Sequence, residues 1–445
     1  MQTKRETYRR ERKNKASKVE VLTEAQKIAF APMTFQTLAA LIDFNILQAV
    51  SETPMTREQV MEKCNLPKYT VFTLFDAALC AGILQKDEDG LYSAAPLGEA
   101  FLFDPMTKAN FNFVKDVCYL GAHELKESFE KNAPAGLQKH HINSKTIYEV
   151  LPQLPEQMLK SWYEFDHYYS DDCFGEVLKI MFNPRPAKVF DIGGNTGKFE
   201  RACLAFDSEC EVNMIDLPPN IEVARADFGK CGVEYTQCTS EHVPCKSSTE
   251  CDLRKQIETE CKNFELPIIQ DTDFDGHAVA QPQCPCEGLT FRESETSKFK
   301  TADFDGHAVA LDRLKFHALD ILKQENNLPD MTAQSDSPAI VLMSQFLDCF
   351  SEEQILRILN KVGERINEHT RVYILEPFID NQFFAGAAYA LSHISLYFTC
   401  MANGCSKMYN EADMKDIIRK SNLKVNKAYY NIGKYDYTLL ECVKA

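Results

Sequence analysis

Apolar residues recur at helical spacing from about residue 20 to 115, whereas beyond 186 they gather into short runs that each stop at an acid. In the first region EAQKIAFAPMTFQTLAALIDFNILQAV predicts helix interrupted near Pro32. Thr56-Arg57-Glu58-Gln59 has capping-box spacing and predicts the start of a short helix. LPKYTVFTLFDAALCAG predicts another, and ILQKDEDGLYSAA predicts two short strands paired around Asp89-Gly90. Helices followed by a hairpin in this order predict a winged helix-turn-helix over 19–120. The helix in the recognition position, 68–81, has Lys68 as its only basic residue. Reading DNA takes Arg, Lys, Asn or Gln directed at base edges and phosphates. This helix suits burial against another subunit instead, so the domain is expected to form a homodimer.

From 121 to 185 the pattern is helical again, and KSWYEFDHYYSDDCFGEVLKIMF holds the single tryptophan in a dense aromatic cluster. This segment is read as a helical linker that contributes to a substrate pocket. From 186 onward AKVFDI, ECEVNMIDLPP, LKFHALDIL, AIVLMSQFLD and TRVYILEPF alternate with helical stretches, one of which opens on Ser351 and Gln354. Apolar strands alternating with helices predict an α/β, Rossmann-like doubly wound sheet over 186–445. VNKAYYNIGKYDYTLLECVKA predicts two closely spaced strands, an antiparallel edge.

Residues 236–302 interrupt this order with weak periodicity and six cysteines, and DFDGHAVA at 273–280 recurs just beyond them at 303–310. They read as an insertion. No CxxC pair supports zinc. Asp271, Asp273, Asp275 and Gly276 match positions of a calcium loop, but Pro282 stands where a bidentate Glu is required. No metal is expected.

The whole chain is 445 residues long, room for two or three domains, with a formal net charge of −16. That balance opposes general affinity for nucleic acid or an anionic membrane. No apolar run approaches the ~20 residues of a membrane span. The N-terminus, MQTKRETYRRERKNKASK, lacks the apolar core of a secretory signal and reads as a solvated tail over 1–18. The seventeen cysteines are then expected to be mostly reduced thiols in a cytoplasmic protein.

The chemistry gathers at strand ends. VFDIGGNTGKF places glycines directly after a strand and before a helix, where they permit a tight turn and close approach of a ligand to the backbone. The spacing is neither a phosphate-binding Walker loop nor GxGxxG. Asp191 at the strand end would repel a pyrophosphate and attract a cation. Asp216 ends the next strand, placed to accept from ribose hydroxyls, and Asp320 ends a third, within reach of an adenine amino group. A ligand with a ribose and a cationic amino-acid part meets these requirements.

FDIGGNTGKF, IDLPPNIE, FHALDIL, LDCFSEEQIL and YILEPF, with the helical N-terminal domain, resemble the S-adenosylmethionine-dependent O-methyltransferases of the caffeate and hydroxyindole type. The resemblance implies S-adenosyl-L-methionine as cofactor and a small, aromatic acceptor. It implies cofactor contacts from Asp191, Gly193, Gly194, Gly197, Asp216, Asp320 and Ser344. Asn195 departs from a commoner glycine, but Asn tolerates the left-handed backbone region. Where the family usually carries His-Asp-Trp, this chain has Asp348-Cys349-Phe350, so Asp348 stands in place of the histidine that deprotonates the acceptor. Glu376 and Asp413 match acids beside that position. Trp162, Phe165, His393, Tyr397, Phe398, Met401 and Asn403 are candidates for the acceptor pocket.

The base stays open at this level. An ordinary Asp, with a pKa near ~4, is poorly matched to a phenol near ~10 unless burial raises it. The alternatives are an unusually acidic hydroxyl, attack by carbon or nitrogen, His393 or His167 as base, or a purely structural Asp348 bonded to backbone at a helix start. Two further readings stand beside the methyltransferase: a relative that binds the cofactor but does other chemistry or none, and a winged-helix regulator that senses a small ligand.

Overall fold

The computed structural model describes residues 17–236 and 311–445. The basic tail through residue 16, and the insertion with its cysteines, its DFDGHAVA repeats and its calcium-like and zinc-like spacings, lie outside the described residues. The chain divides into two units, Met1–Ala224 with Asp312–Ala445, and Arg225–Leu311. In the second, the described residues are the end of a helix through Thr236 and Leu311.

The first unit opens with helices. α1 (Lys18–Ala29) starts at a reciprocal cap between Ser17 and Glu20 and buries none of its residues. Pro32 falls in the first turn of α2 (Ala31–Asp43), where its missing N–H costs nothing, so it opens a helix instead of breaking one. α3 (Ile46–Glu52), α4 (Arg57–Lys63) and α5 (Lys68–Cys80) follow, α4 with the expected Thr56–Gln59 capping box. β1 (Leu84–Lys86) and β2 (Tyr92–Ala94) pair antiparallel. Leu41, Ile46, Leu47, Val50, Val71 and Phe75 form one buried cluster with this hairpin. α5, in the recognition position, thus turns Val71, Phe75 and Ala78 into its own domain's core. Among the described residues no single helix is long and apolar enough to cross a membrane. α2 and α3 pass that test only as a pair, bent by 67°, and they bury their apolar faces in this cluster.

α6 (Pro96–Phe103), α7 (Pro105–Phe113), α8 (Leu125–Lys131), α9 (Glu156–Ser170) and α10 (Phe174–Met181) lead to the sheet. Its strands are β3 (Lys188–Ile192), β4 (Glu211–Asp216), β5 (Leu314–Ala318), β6 (Ala339–Ser344), β7 (Thr370–Glu376), β8 (Leu423–Ile432) and β9 (Tyr437–Lys444). The order is β5-β4-β3-β6-β7-β9-β8. The first five are parallel, while β9 runs antiparallel to β7 and to β8, the edge anticipated from the tail. Central β6 is buried from Ala339 to Met343, which is why its sequence is a continuous apolar run without alternation. α11 (Lys198–Phe206) and α12 (Pro218–Thr236) follow β3 and β4; α13 (Glu352–Glu364), α14 (Ala385–Tyr397) and α15 (Glu411–Lys420) complete the fold. The chain winds outward in one direction from β3 and in the other from β6. The crevice beyond the carboxyl ends of this pair is therefore the place where a doubly wound sheet receives ligands.

α13 carries the last of three capping boxes among the described residues, with Gln354 N bonded to Ser351 Oγ at 3.3 Å and Ser351 N to Gln354 Oε1 at 2.9 Å. Ser351→Ala should lower stability by about 1 kcal/mol. Urea unfolding would show this as an earlier midpoint at unchanged slope.

Candidate active site

β3 delivers Asp191 to the crevice, and the chain then turns sharply. Gly193 and Gly197 have φ of +92° and +81°, and Asn195 between them adopts +51°, so the asparagine does occupy the left-handed region. A Cβ on Gly193 would strike the Phe346 ring, and one on Gly194 would strike Glu200. Neither position tolerates a side chain. Gly197 sits behind the turn as the residue before α11.

Asp216, at the end of β4, is tied to this turn. Its Oδ2 accepts from Asn195 N at 2.8 Å, and its Oδ1 accepts from Leu217 N at 2.6 Å and Asn220 Nδ2 at 2.9 Å. The Asn195 side chain donates in the opposite direction, to Asp166 of α9 at 2.8 Å. Asp320 lies two residues past β5, its Oδ1 accepting from Leu322 N at 2.9 Å.

A cavity of about 320 Å³ joins these groups to an aromatic chamber. Its wall brings together Asp191, Gly193, Gly194, Asp216, Asp320, Ser344 and Asp348 with Trp162, Phe165, Tyr397, Phe398 and Asn403. The chamber is built by packing: Phe113 stacks on Phe165 at 4.1 Å and meets Tyr397 edge-on at 4.9 Å. Trp162 Nε1 donates to Tyr397 Oη at 2.8 Å. Asp348 sits on a single tight turn, Leu347–Cys349, just after β6. Cys349 Sγ lies 3.4 Å from its Oδ1 and accepts from Tyr148 Oη at 3.1 Å.

Several expected residues lie elsewhere. Glu376 is buried behind the wall, its Oε1 accepting from Phe346 N at 3.2 Å and Leu347 N at 2.9 Å, so it braces the turn that carries Asp348. Asp413 is half-buried at the start of α15, is not on the cavity wall with Asp348, and faces Lys407 at 3.9 Å. His393 is exposed and stacks on Tyr389 at 3.9 Å. Met401 is fully buried beneath Gly121, one layer behind the chamber. His167 does reach the wall, beside Asp166 at 3.9 Å.

Glu200, on α11, escaped notice in the sequence. It is fully buried against Gly194 and Met214, close to Asp191. Its place in KFERACLAF gives no signal, since a lone acid on an amphipathic helix normally points to water. Burial pushes Glu200 well above the usual carboxylate range, and Asp191 adds to the effect. Burial likewise pushes Asp191 up to about 7, with the Asp216 charge acting in the same direction. Burial lifts Asp348 to about 6 and holds Glu376 well above its ordinary value, the Asp348 charge contributing.

These residues fit an adenosyl sulfonium. Buried carboxyls suit a cation, the glycines leave a cradle that any Cβ would fill, and Thr196 Oγ1 and Gln345 Nε2, both on the wall, lack a hydrogen-bond partner within the protein.

The folded state keeps the Asp191 proton up to about pH 7, whereas an unfolded Asp releases it near its ordinary 3.8. The stability that this group contributes is therefore whole below about pH 4 and falls as pH rises toward 7. In thermal melts of the ligand-free protein, Asp191→Asn should gain on the wild type progressively over that interval.

The family model described as the Dimerisation2-like domain matches residues 23–91. No curated protein matches the chain in sequence. The apo S-adenosylmethionine-dependent methyltransferase SibL superposes with a TM-score of 0.58 at 18% identity, over 95% of this chain and 99% of that one. The mitomycin 7-O-methyltransferase MmcR gives 0.60 at 13% identity, over 96% and 98%. Human N-acetylserotonin methyltransferase, in complex with S-adenosylmethionine, gives 0.54 at 10% identity, over 97% and 99%. The two kinds of match support the resemblance drawn from the motifs: the chain is a methyltransferase-fold protein with a Dimerisation2-like domain ahead of its sheet.

Proposed function

We propose that this protein is an S-adenosylmethionine-dependent methyltransferase that acts on the hydroxyl of a small aromatic acceptor, with Asp348 as the general base. The observation that carries this reading is the single cavity that joins the glycine turn and Asp216 to an aromatic chamber ending at Asp348. The cofactor supplies an electrophilic sulfonium methyl. Asp216 would hold the ribose, Asp320 and Ser344 the adenine side, and the Gly193–Gly194 turn with Asp191 the methionine part.

Trp162, Phe165, Tyr397 and Phe398 orient a flat ring and keep water out. Asp348 takes the proton as the nucleophile advances. Its lift to about 6 narrows the gap to a phenol near ~10 while leaving it mostly ionised at neutral pH. Glu376 holds the turn in place through its bonds to Phe346 N and Leu347 N, and burial together with the Asp348 charge keeps its carboxyl well above the ordinary range.

We also infer a homodimer formed through the N-terminal helices. α1 buries nothing on its own chain, and Val19, Ile28 and Met33 stand 73%, 76% and 67% exposed. A run of apolar side chains left in water asks for a partner surface.

Calorimetry should detect S-adenosylmethionine binding, weakened by about 10- to 100-fold in Asp216→Ala as hydrogen bonds to a charged acceptor are lost. In a labelled-methyl assay over a library of phenols, Asp348→Asn should lower kcat by roughly 10²–10⁴ at unchanged cofactor affinity. Wild-type turnover should decline below about pH 6, where Asp348 takes up its proton. An Asn variant that kept full turnover would remove Asp348 from the base role. The double variant Ile28→Asp/Met33→Asp should sediment at half the wild-type mass.

A further inference from the structure

The two ends of the cavity differ in charge. Residues on its wall able to carry a positive charge are His167 and Lys198, and both stand at the cofactor end. His167 adjoins Asp166, which holds Asn195 of the glycine turn, and Lys198 opens α11 directly after that turn. Among the described residues the aromatic chamber has no cation on its wall. It has two carboxyls, Asp348 at its inner end and Glu149 on the outer side.

Three neutral donors of the chamber are already engaged within the protein. Tyr148 Oη donates to Cys349 Sγ at 3.1 Å, Trp162 Nε1 to Tyr397 Oη at 2.8 Å, and Asn403 Nδ2 to the Cys349 carbonyl at 2.6 Å. A carboxylate, sulfate or phosphate brought in by an acceptor would shed its water among aromatic rings and meet Asp348 with no counter-charge. Burial of an unpaired charge is costly, and juxtaposed like charges add to that cost. A hydroxyl or ammonium donor instead finds in Asp348 an acceptor that has lost its own solvation.

We infer that this site takes only aromatic acceptors that lack an anionic group, whether uncharged or protonated amines, and that Asp348 is the residue that imposes the exclusion. The inference rests on the methyltransferase reading and narrows its substrate class.

The chain has one tryptophan, and it lies on the chamber wall, so its emission reports occupancy of this end alone. Tyrosol, tyramine and 4-hydroxyphenylacetate share a phenol ring and differ in charge at a similar reach. At about pH 8, where Asp348 is ionised, tyrosol and tyramine should give saturable changes in Trp162 emission. The acid should bind at least about 10-fold more weakly than tyrosol, and Asp348→Asn should shrink that gap to less than about 3-fold.

An acid that binds within about 3-fold of tyrosol in the wild type, a gap that survives Asp348→Asn intact, or the absence of saturation with all three compounds would each overturn the inference. Calorimetry with S-adenosylhomocysteine on the same preparation separates the two levels. Binding of that compound without discrimination among the phenols overturns the acceptor class and leaves the methyltransferase reading standing. Its failure to bind overturns the reading itself.

Discussion

Asp191, Glu200, Asp348 and Glu376 are all withdrawn from water at the carboxyl edge of one sheet. For each, burial is the largest influence on its proton, and it acts upward. A buried carboxyl without a cation keeps its proton or awaits a partner that brings positive charge or a strong donor. The edge can hold so many acids because the rest of the sheet is conventional: one face of β3, β6 and β7, from Phe190 and Ile192 to Val341, Met343, Val372 and Ile374, packs into one large cluster. That rigid layer fixes where each acid ends up, and the acids set what the crevice can receive.

Much of this layout was legible in the sequence because its causes are local. Apolar runs ending at acids marked β3, β4, β6 and β7, and the Thr56–Gln59 and Ser351–Gln354 caps appear where their spacing put them. Asn195 behaves as its left-handed tolerance allows. The misplaced residues share a different cause. His393 and Met401 sit near one another in sequence, yet α14 turns the first to solvent and the short π-helical turn at Phe398–Ala402 drives the second behind the wall. Which side of a helix faces a cavity depends on how that helix packs, and a mostly apolar stretch such as the one at 385–402 carries only a weak periodicity to reveal it. Asp413 was placed by motif position, but the first turn of α15 aims it at Lys407. Glu200 shows the converse, an ordinary-looking helix residue whose burial depends on a glycine six residues earlier having no side chain.

The N-terminal helices also reach the chemistry. Phe113, at the end of α7, is part of the chamber wall and stacks on Phe165 of α9. Ser161 and Gln157 of α9 bond to Asp116, just past α7, at 2.6 and 2.9 Å. The aromatic chamber is therefore assembled between the segment that follows the dimerisation-like helices and the sheet. Its shape depends on both.

The bond from the Asn195 side chain to Asp166 crosses that junction. A glycine in its place would remove this bond between the turn beside β3 and the aromatic helix. Here a single amide fastens the two, so that whatever settles the loop also steadies one wall of the chamber. Such a tether links the order of the loop to the order of the chamber wall.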